Sequence, residues 1–368
     1  MGKSLVIDAD SHVEEVRETW DYLEEQYQRR KPLAVVTENR PELADHNAFW
    51  LIDGVAHPQY LGRGTTVFAT PLDMVYAARK PFSLGSQGMT DPAARLRDMD
   101  KEGVDIQVIY PTVFLEPLTD DPGFEAALMR SYNTWMAKAC AHNPKRLQWA
   151  AVMPMQNVPA AVEEAQRAKE LGAVSLAIFG TVRDRMLHDI SFDPFFTEAE
   201  RLEMAVGVHT GWSHPGLRQS VGSNYGAHVL SFTLPVMMGF FSILGYVLDR
   251  HPHLKVGFLE AGVDWLPYMI QRMDHYYHAE KRSGWPVPER NASGYLKDCQ
   301  IYFTCEAEEK ILPEVIRWIG EERIMMEADM PHGEGRETSV QEIQERKDLS
   351  DSVKKKILGL NAKAFYNL

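Results

Sequence analysis

Short apolar runs alternate with amphipathic stretches along the chain, and this alternation limits its possible folds more than any other feature. Apolar runs occur at Leu5–Ile7, Val104–Tyr110, Leu147–Met153, Ala173–Phe179, Met204–Val208, Leu254–Leu259, Gln300–Thr304 and Arg323–Met326. Each has strand length, and most are rich in Val, Ile, Leu or Phe. Near-continuous apolar strands suit a parallel sheet covered on both faces. Between them the pattern predicts helices over Asp91–Glu102, Asp121–His142, Pro159–Leu171, Pro194–Leu202, Leu234–Asp249, Asp264–Glu280, Glu309–Ile319 and Ser352–Leu368. The first opens on Asp-Pro and ends at Gly103, which is helix start and stop chemistry. Eight strands alternating with helices predict an α/β fold, a (β/α)8 barrel rather than an open sheet. The barrel is expected to be distorted. About eighty residues between His12 and Asp91 show no clear strand–helix pair. That stretch, about 13–90, reads as a long insertion after the first strand, a lid or an oligomer arm. Residues 1–368 then form a single domain.

Charge narrows the function. The chain has 39 Lys+Arg against 52 Asp+Glu, a formal net charge of −13. An acidic balance argues against nucleic acid and anionic membranes as partners, since both call for a basic face. No run reaches about 18 consecutive apolar residues, so no membrane span is expected. The opening MGKSLVIDAD lacks the apolar core of a signal peptide. Cys140, Cys299 and Cys305 are odd in number and lack metal-type spacing, so a reducing cytoplasm is the expected location. No Gly-x-Gly-x-x-Gly or Gly-Lys-Ser/Thr motif sits in a strand–turn–helix context, and no nucleotide cofactor is expected.

In such a barrel the active site lies at the C-terminal ends of the strands. The first run continues as Asp8-Ala9-Asp10-Ser11-His12, and strand alternation predicts Asp8, Asp10 and His12 on one face. The fifth ends in Gly207-Val208-His209-Thr210-Gly211 and the sixth in Phe258-Leu259-Glu260. The eighth ends in Met326-Glu327-Ala328-Asp329-Met330-Pro331-His332. Singly these have ordinary readings: a strand-end acidic cap for Asp10, a satisfied buried histidine for His209. Together, Asp10, His12, His209, Glu260 and Asp329 come from four strand ends that a barrel brings to one mouth. Asp and Glu are almost never buried unpaired. The combination predicts a site for a divalent cation.

Other residues divide between function and packing. His228, in GSNYGAHVLSF, reads either as a general acid/base at the mouth or as a helix-capping or surface histidine. Trp212 and His214 either wall the pocket or pack a loop. His332 reads as a hydrogen-bonding support for Asp329. Trp265, Tyr268, Met269, Arg272 and Met273 recur at helical spacing and read as a helix face against the barrel.

The Asp-x-Asp-x-His at 8–12, His209 in GVHTG, FLEAGVDWLPYMIQRMD at 258–274 and ADMPH at 328–332 resemble the amidohydrolase superfamily. More narrowly they resemble the amidohydrolase-related branch that contains aminocarboxymuconate-semialdehyde decarboxylase and resorcylate-type decarboxylases. DPAARLRDMDKEGVDIQVIYPT at 91–112 and ILGLNAKAFYNL at 357–368 fit that branch too. The resemblance implies a metal-dependent barrel. It implies Asp10 in place of the first His of a His-x-His motif, a further acidic ligand at Glu15, and His209 as the fifth-strand ligand. It implies Asp329 as a ligand that also accepts a proton from bound water. Glu260 stands where the decarboxylases carry a sixth-strand catalytic His, a departure from their pattern.

The ligand set is oxygen-rich, which suits Mn or Fe better than Zn, and its carboxylates suffice for one or two ions. Three functions follow as expectations. The first is metal-assisted hydrolysis or non-oxidative decarboxylation of a small carboxylic or acyl substrate, with Asp329 as proton acceptor and Glu260 or His228 as proton donor. The second is an oxygen-dependent Fe/Mn hydroxylase on the same barrel. The third is a structural subunit that pairs with an active paralogue, motivated by Asp10 and Glu260. The expected assembly is a homo-oligomer, or a hetero-oligomer with such a paralogue.

Overall fold

The structure, a computed structural model, describes residues 4–36, 48–57, 82–220, 226–332 and 335–368. Its strands in chain order are β1 (Ile7–Val13), β2 (Leu33–Val36), β3 (Ala48–Ile52), β4 (Val55–His57), β5 (Ile106–Pro111), β6 (Leu147–Val152) and β7 (Ser175–Phe179). They continue with β8 (Thr181–Val182), β9 (Arg185–Met186), β10 (Ala205–His209), β11 (Lys255–Leu259), β12 (Gln300–Cys305) and β13 (Ile324–Met326). Eight of them form one parallel sheet in the order β1-β5-β6-β7-β10-β11-β12-β13. The eight apolar runs thus supply the eight strands of a (β/α)8 barrel. The first differs in extent. β1 runs on to Val13, so its acidic residues lie within the strand and not beyond its end.

The interior is filled by small, aliphatic and aromatic residues, among them Ala9, Ala150, Ala177, Ala205, Leu259 and Tyr110. Phe365 and Tyr366, from the C-terminal helix Asn361–Tyr366, join the same cluster. A larger apolar layer lies between strands and outer helices.

β1 carries the irregularity that matters most. Its pairing with β5 runs Asp8↔Gln107 and then Ser11↔Ile109, so β1 holds one residue more than its partner. An extra residue turns every later side chain to the opposite face. Ala9 points into the barrel, and Asp10 and His12 reach its mouth. Asp8 does not share their face, contrary to simple alternation. Its carboxylate accepts from Ser11 Oγ, from Gln107 Nε2 at 3.2 Å and from Ala328 N at 2.9 Å.

Those contacts belong to the seam that closes the barrel between β1 and β13. Across it His12 N donates to Met330 O at 2.6 Å, and Asp329 N donates to Asp10 O at 3.1 Å. Arg95, fully buried on the helix Pro92–Glu102, clamps the seam from outside. It donates to Gln107 Oε1 at 2.7 Å and to His12 O at 3.0 Å.

Most helices match the pattern to within a few residues. Among the described residues four α-helices do not appear in it, Leu84–Gln87, Pro215–Ser220, Ala292–Asp298 and Ser339–Glu345. Four to seven residues are too few to display a helical period. The expected helix Leu234–Asp249 begins earlier, and Ala227–Arg250 forms one 24-residue helix with π-type turns. It is long and apolar enough to cross a membrane, which the sequence pattern did not suggest, but Val236, Phe240, Ile243, Leu244, Val247 and Leu248 bury its inner face. It packs directly on backbone: a Cβ on Gly239 would lie 2.8 Å from Gly180 Cα.

In the insertion, β2–β3–β4 form an antiparallel meander. It is anchored by Trp50 edge-on to Trp20 at 5.7 Å, and by Arg30 with Asp53 and Asp121 at 2.8 and 2.7 Å. Residues 37–47 and 58–81 of the expected lid or arm lie outside the described residues.

Candidate metal centre

The strand ends bring Asp10, His12, His209, Glu260 and Asp329 to one mouth. Asp10 and His12 enter through the bulge, and His209 ends β10. Glu260 and Asp329 follow β11 and β13 in the left-handed region, with φ of 55° and 51°. Non-glycine residues hold that conformation seldom, and functional sites concentrate it.

The contacts are close. Asp10 Oδ2 lies 3.2 Å from His209 Nε2, and Asp10 Oδ1 lies 3.5 Å from His12 Nε2. Glu260 Oε2 approaches both imidazoles, at 3.2 Å from His209 Nε2 and 3.4 Å from His12 Nε2. Asp329 Oδ1 is 3.6 Å from His12 Nε2. Two overlapping groups result, Asp10–His12–His209–Glu260 and His12–Glu260–Asp329–His332, each with its ligand atoms within 4.8 Å of one another.

Backbone carbonyls set the tautomers. His12 Nδ1 lies 3.0 Å from Pro111 O, and His209 Nδ1 lies 2.9 Å from Thr210 O. A carbonyl only accepts, so each Nδ1 carries the proton and each Nε2 presents a bare lone pair to the carboxylates. Burial, reinforced by His332 and His209, holds His12 well below the usual imidazole range, so the ring is neutral. Both Asp10 oxygens and both Nε2 atoms are buried without a hydrogen-bond partner. Lone pairs that face one another in this way repel unless a cation sits between them. The donor set of two neutral imidazoles and several carboxylates fits a divalent metal.

Supporting groups surround the cluster. His332 Nδ1 lies 2.7 Å from Asp329 Oδ1, and its Nε2 lies 2.9 Å from Thr112 Oγ1. Its ring stacks on His12 at 4.0 Å. Glu260 N donates to Thr304 Oγ1 at 2.9 Å and to Glu327 Oε2 at 3.1 Å. Burial, reinforced by the Asp10 charge, pushes Glu327 well above the carboxylate range. The linear motifs gave no sign of Thr112 or Thr304. Thr112 directly follows β5, so its strand-end position was the available signal.

Glu15 stands apart from the cluster. Its two oxygens accept the backbone N–H groups of Thr112 and Val113 at 3.0 and 2.9 Å, and burial pushes it up to about 8. Glu15→Gln is therefore expected to keep the wild-type metal content by elemental analysis while lowering Tm. An amide oxygen replaces only one of the two acceptors, at a cost of about 1–3 kcal/mol. Loss of the metal would instead return Glu15 to the ligand set.

His228 opens the helix Ala227–Arg250 and lines a cleft of 460 Å³ with Phe232, Glu260, Glu327, Asp329 and Arg336. The cleft has the size of a small-ligand site. Trp212, buried, does not line the cleft but packs behind it, its ring 5.6 and 4.6 Å from those of His228 and Phe232. His214 instead accepts from Leu217 N at the start of a short helix.

Comparison with known proteins agrees with this geometry. The 2-amino-3-carboxymuconate-6-semialdehyde decarboxylase of Dictyostelium discoideum is 28% identical over 288 residues, covering 76% of this chain and 77% of that protein. The fold matches an amidohydrolase from Mycobacterium avium subsp. paratuberculosis with a TM-score of 0.80 at 21% identity, over 100% of both chains. It also matches a 5-carboxyvanillate decarboxylase from Novosphingobium aromaticivorans, solved with bound manganese and 3-methoxy-4-hydroxy-5-nitrobenzoic acid. There the TM-score is 0.74 at 22% identity, over 99% of this chain and 97% of that one. The amidohydrolase family model matches residues 7–368. A match that runs from β1 to the last residue leaves no barrel strand outside it, and the chain belongs to the amidohydrolase family.

Proposed function

We propose that the protein is a divalent-metal enzyme that removes CO2, without oxidation, from a small hydroxylated aromatic or unsaturated carboxylic acid. The observation that carries this reading is the convergence of bare Nε2 atoms and carboxylates from four strand ends on one buried point. The decarboxylase relatives support the reaction type. The carboxylate-rich donor set, together with the manganese bound by a structural relative, supports Mn2+.

Asp10, His12, His209 and Asp329 would hold the ion, with Glu260 at its edge. A bound dication supplies Lewis acidity toward a substrate carboxylate or neighbouring oxygen. The chain's own residues must then deliver a proton to the carbon that bears the carboxylate, after which the C–C bond breaks and CO2 leaves. Glu260 and His228 face the cleft for that purpose, and His332 holds Asp329 in position to take up or return a proton. Phe232, backed by Trp212, gives the cleft an apolar side.

Hydrolysis of an acyl substrate is the second reading, favoured by the carboxylate of Glu260 at a proton-transfer position. Two of the three relatives named above are decarboxylases, and none lends support to an oxygenase. The buried donor set favours an enzyme over an inactive subunit. The same proposal takes the enzyme as cytoplasmic, with three buried free cysteines, and as an oligomer. Tyr268, Trp285 and Trp318 support an interface, being 69, 66 and 50% exposed. The insertion about 13–90 would act as lid or arm.

The test is incubation of Mn2+-loaded protein with hydroxybenzoates, carboxyvanillates, a muconate semialdehyde, esters and lactones. CO2 release from an acid, abolished by chelation, is expected. Hydrolysis without CO2 release moves the reading to the second reaction. Neither product from any substrate sinks both.

A further inference from the structure

We infer that Tyr366, on the C-terminal helix, is a positioning residue for the metal centre, because its hydroxyl holds the backbone that turns Asp10 into the mouth. The inference rests on the metal reading above. The Tyr366 hydroxyl donates to Ala9 O at 2.7 Å. Ala9 lies inside the β1 bulge, next to Asp10, where the ladder skips a residue. A bulge interrupts the ladder, and a buried carbonyl there needs a donor from elsewhere. Ala9 O can only accept, so the Tyr366 proton is committed to it.

A second contact reaches the histidines. The Tyr366 hydroxyl lies 3.0 Å from the Tyr110 hydroxyl, which lies 3.1 Å from Ser175 Oγ. Ser175 in turn donates to Ala205 O at 3.3 Å. This hydroxyl chain crosses the barrel interior from β1 to β10. The Tyr110 ring packs against both ligand imidazoles, with centroids 5.5 Å from His209 and 6.4 Å from His12. Tyr366 therefore bears on Asp10 through the bulge, and on His12 and His209 through Tyr110.

An apolar plug would serve packing alone, as Phe365 does where it meets Gly257. A hydroxyl in the barrel interior is costly unless it is hydrogen-bonded. Here its bond goes to the one strand, among the described residues, that departs from regular pairing with its neighbour.

The test titrates metal-free protein with Mn2+, counting free ion by its EPR signal, and records Tm without metal. Tyr366→Phe keeps the ring and is expected to raise the Mn2+ Kd about tenfold, the lower end of what outer partners of metal ligands contribute. Phe365→Leu trims the neighbouring ring, which takes no part in the hydroxyl chain, and is expected to keep the wild-type Kd. Comparable Tm losses in the two variants would separate positioning from bulk stability. An unchanged Kd in Y366F, or an equal rise in F365L, overturns the inference. Should Y366F fail to fold, Tyr110→Phe, which removes the hydroxyl that Tyr366 meets beside the ligand histidines, must raise the Kd, and an unchanged value overturns it. Wild-type protein that takes up no Mn2+ overturns this inference together with the metal reading, a result distinct from the others.

Discussion

Asp329→Asn is expected to lower kcat/KM by ~10³-fold for the acid that releases CO2, with no loss of Tm in the metal-free protein. The reason lies in what the substitution keeps. Asparagine has the shape of aspartate and tolerates the left-handed backbone at position 329, where φ is 51°. It can still hydrogen-bond His332. It cannot take up a proton, and it offers a metal a weaker, neutral oxygen. It also removes one negative charge from a buried group that includes Asp10 and Glu260, so the metal-free fold loses nothing electrostatic. Steady-state kinetics at saturating Mn2+ and a thermal melt decide the matter. A variant within tenfold of wild type would remove Asp329 from the chemistry.

The largest expected loss of stability is at Arg95. Arg95→Met should cost about 3–5 kcal/mol, because it leaves the buried Glu102 and Asp8 carboxyls without the guanidinium charge near them. Burial already pushes Asp8 up to about 7, against the pull of its hydrogen bonds from Ser11 and Ala328 and, more weakly, of the Arg95 charge. The substitution also strips the donors from Gln107 Oε1 and His12 O. Asp8→Asn combined with Arg95→Met should recover part of the loss, since one uncompensated charge is then gone. Arg95→Lys should fall between, because a single ammonium cannot serve Gln107 and His12 as the planar fork does. Urea unfolding of the three variants measures these differences. Equal stability of R95M and wild type would show that the seam closes without its clamp.

The seam and the site share one cause. Asp8 and Asp10 sit two residues apart in a strand, and regular alternation places both on one face. A single extra residue in β1 separates them, sending Asp8 to Gln107 and Ala328 in the seam and Asp10 to the mouth. Nothing in the local sequence marks that bulge, because it depends on how β1 pairs with β5, nearly a hundred residues later. Glu15 shows the same limit. The family resemblance implied a ligand there, yet the backbone N–H groups after β5 donate to both of its oxygens.

By itself the sequence determined the barrel, since eight apolar runs of strand length between amphipathic helices leave few other ways to bury their faces. It also determined four of the strand ends that carry chemistry, because a carboxylate or histidine after an apolar strand is conspicuous. Only the tertiary structure decided which of those side chains meet. Side-chain direction depends on strand register, on left-handed turns at Glu260 and Asp329, and on contacts from Arg95 and Tyr366. All are set by long-range pairing, which local composition does not encode. The acidic surplus is redistributed in the same way: some of its charges solvate the surface, while Asp10, Glu260 and Asp329 crowd one point where a cation can balance them.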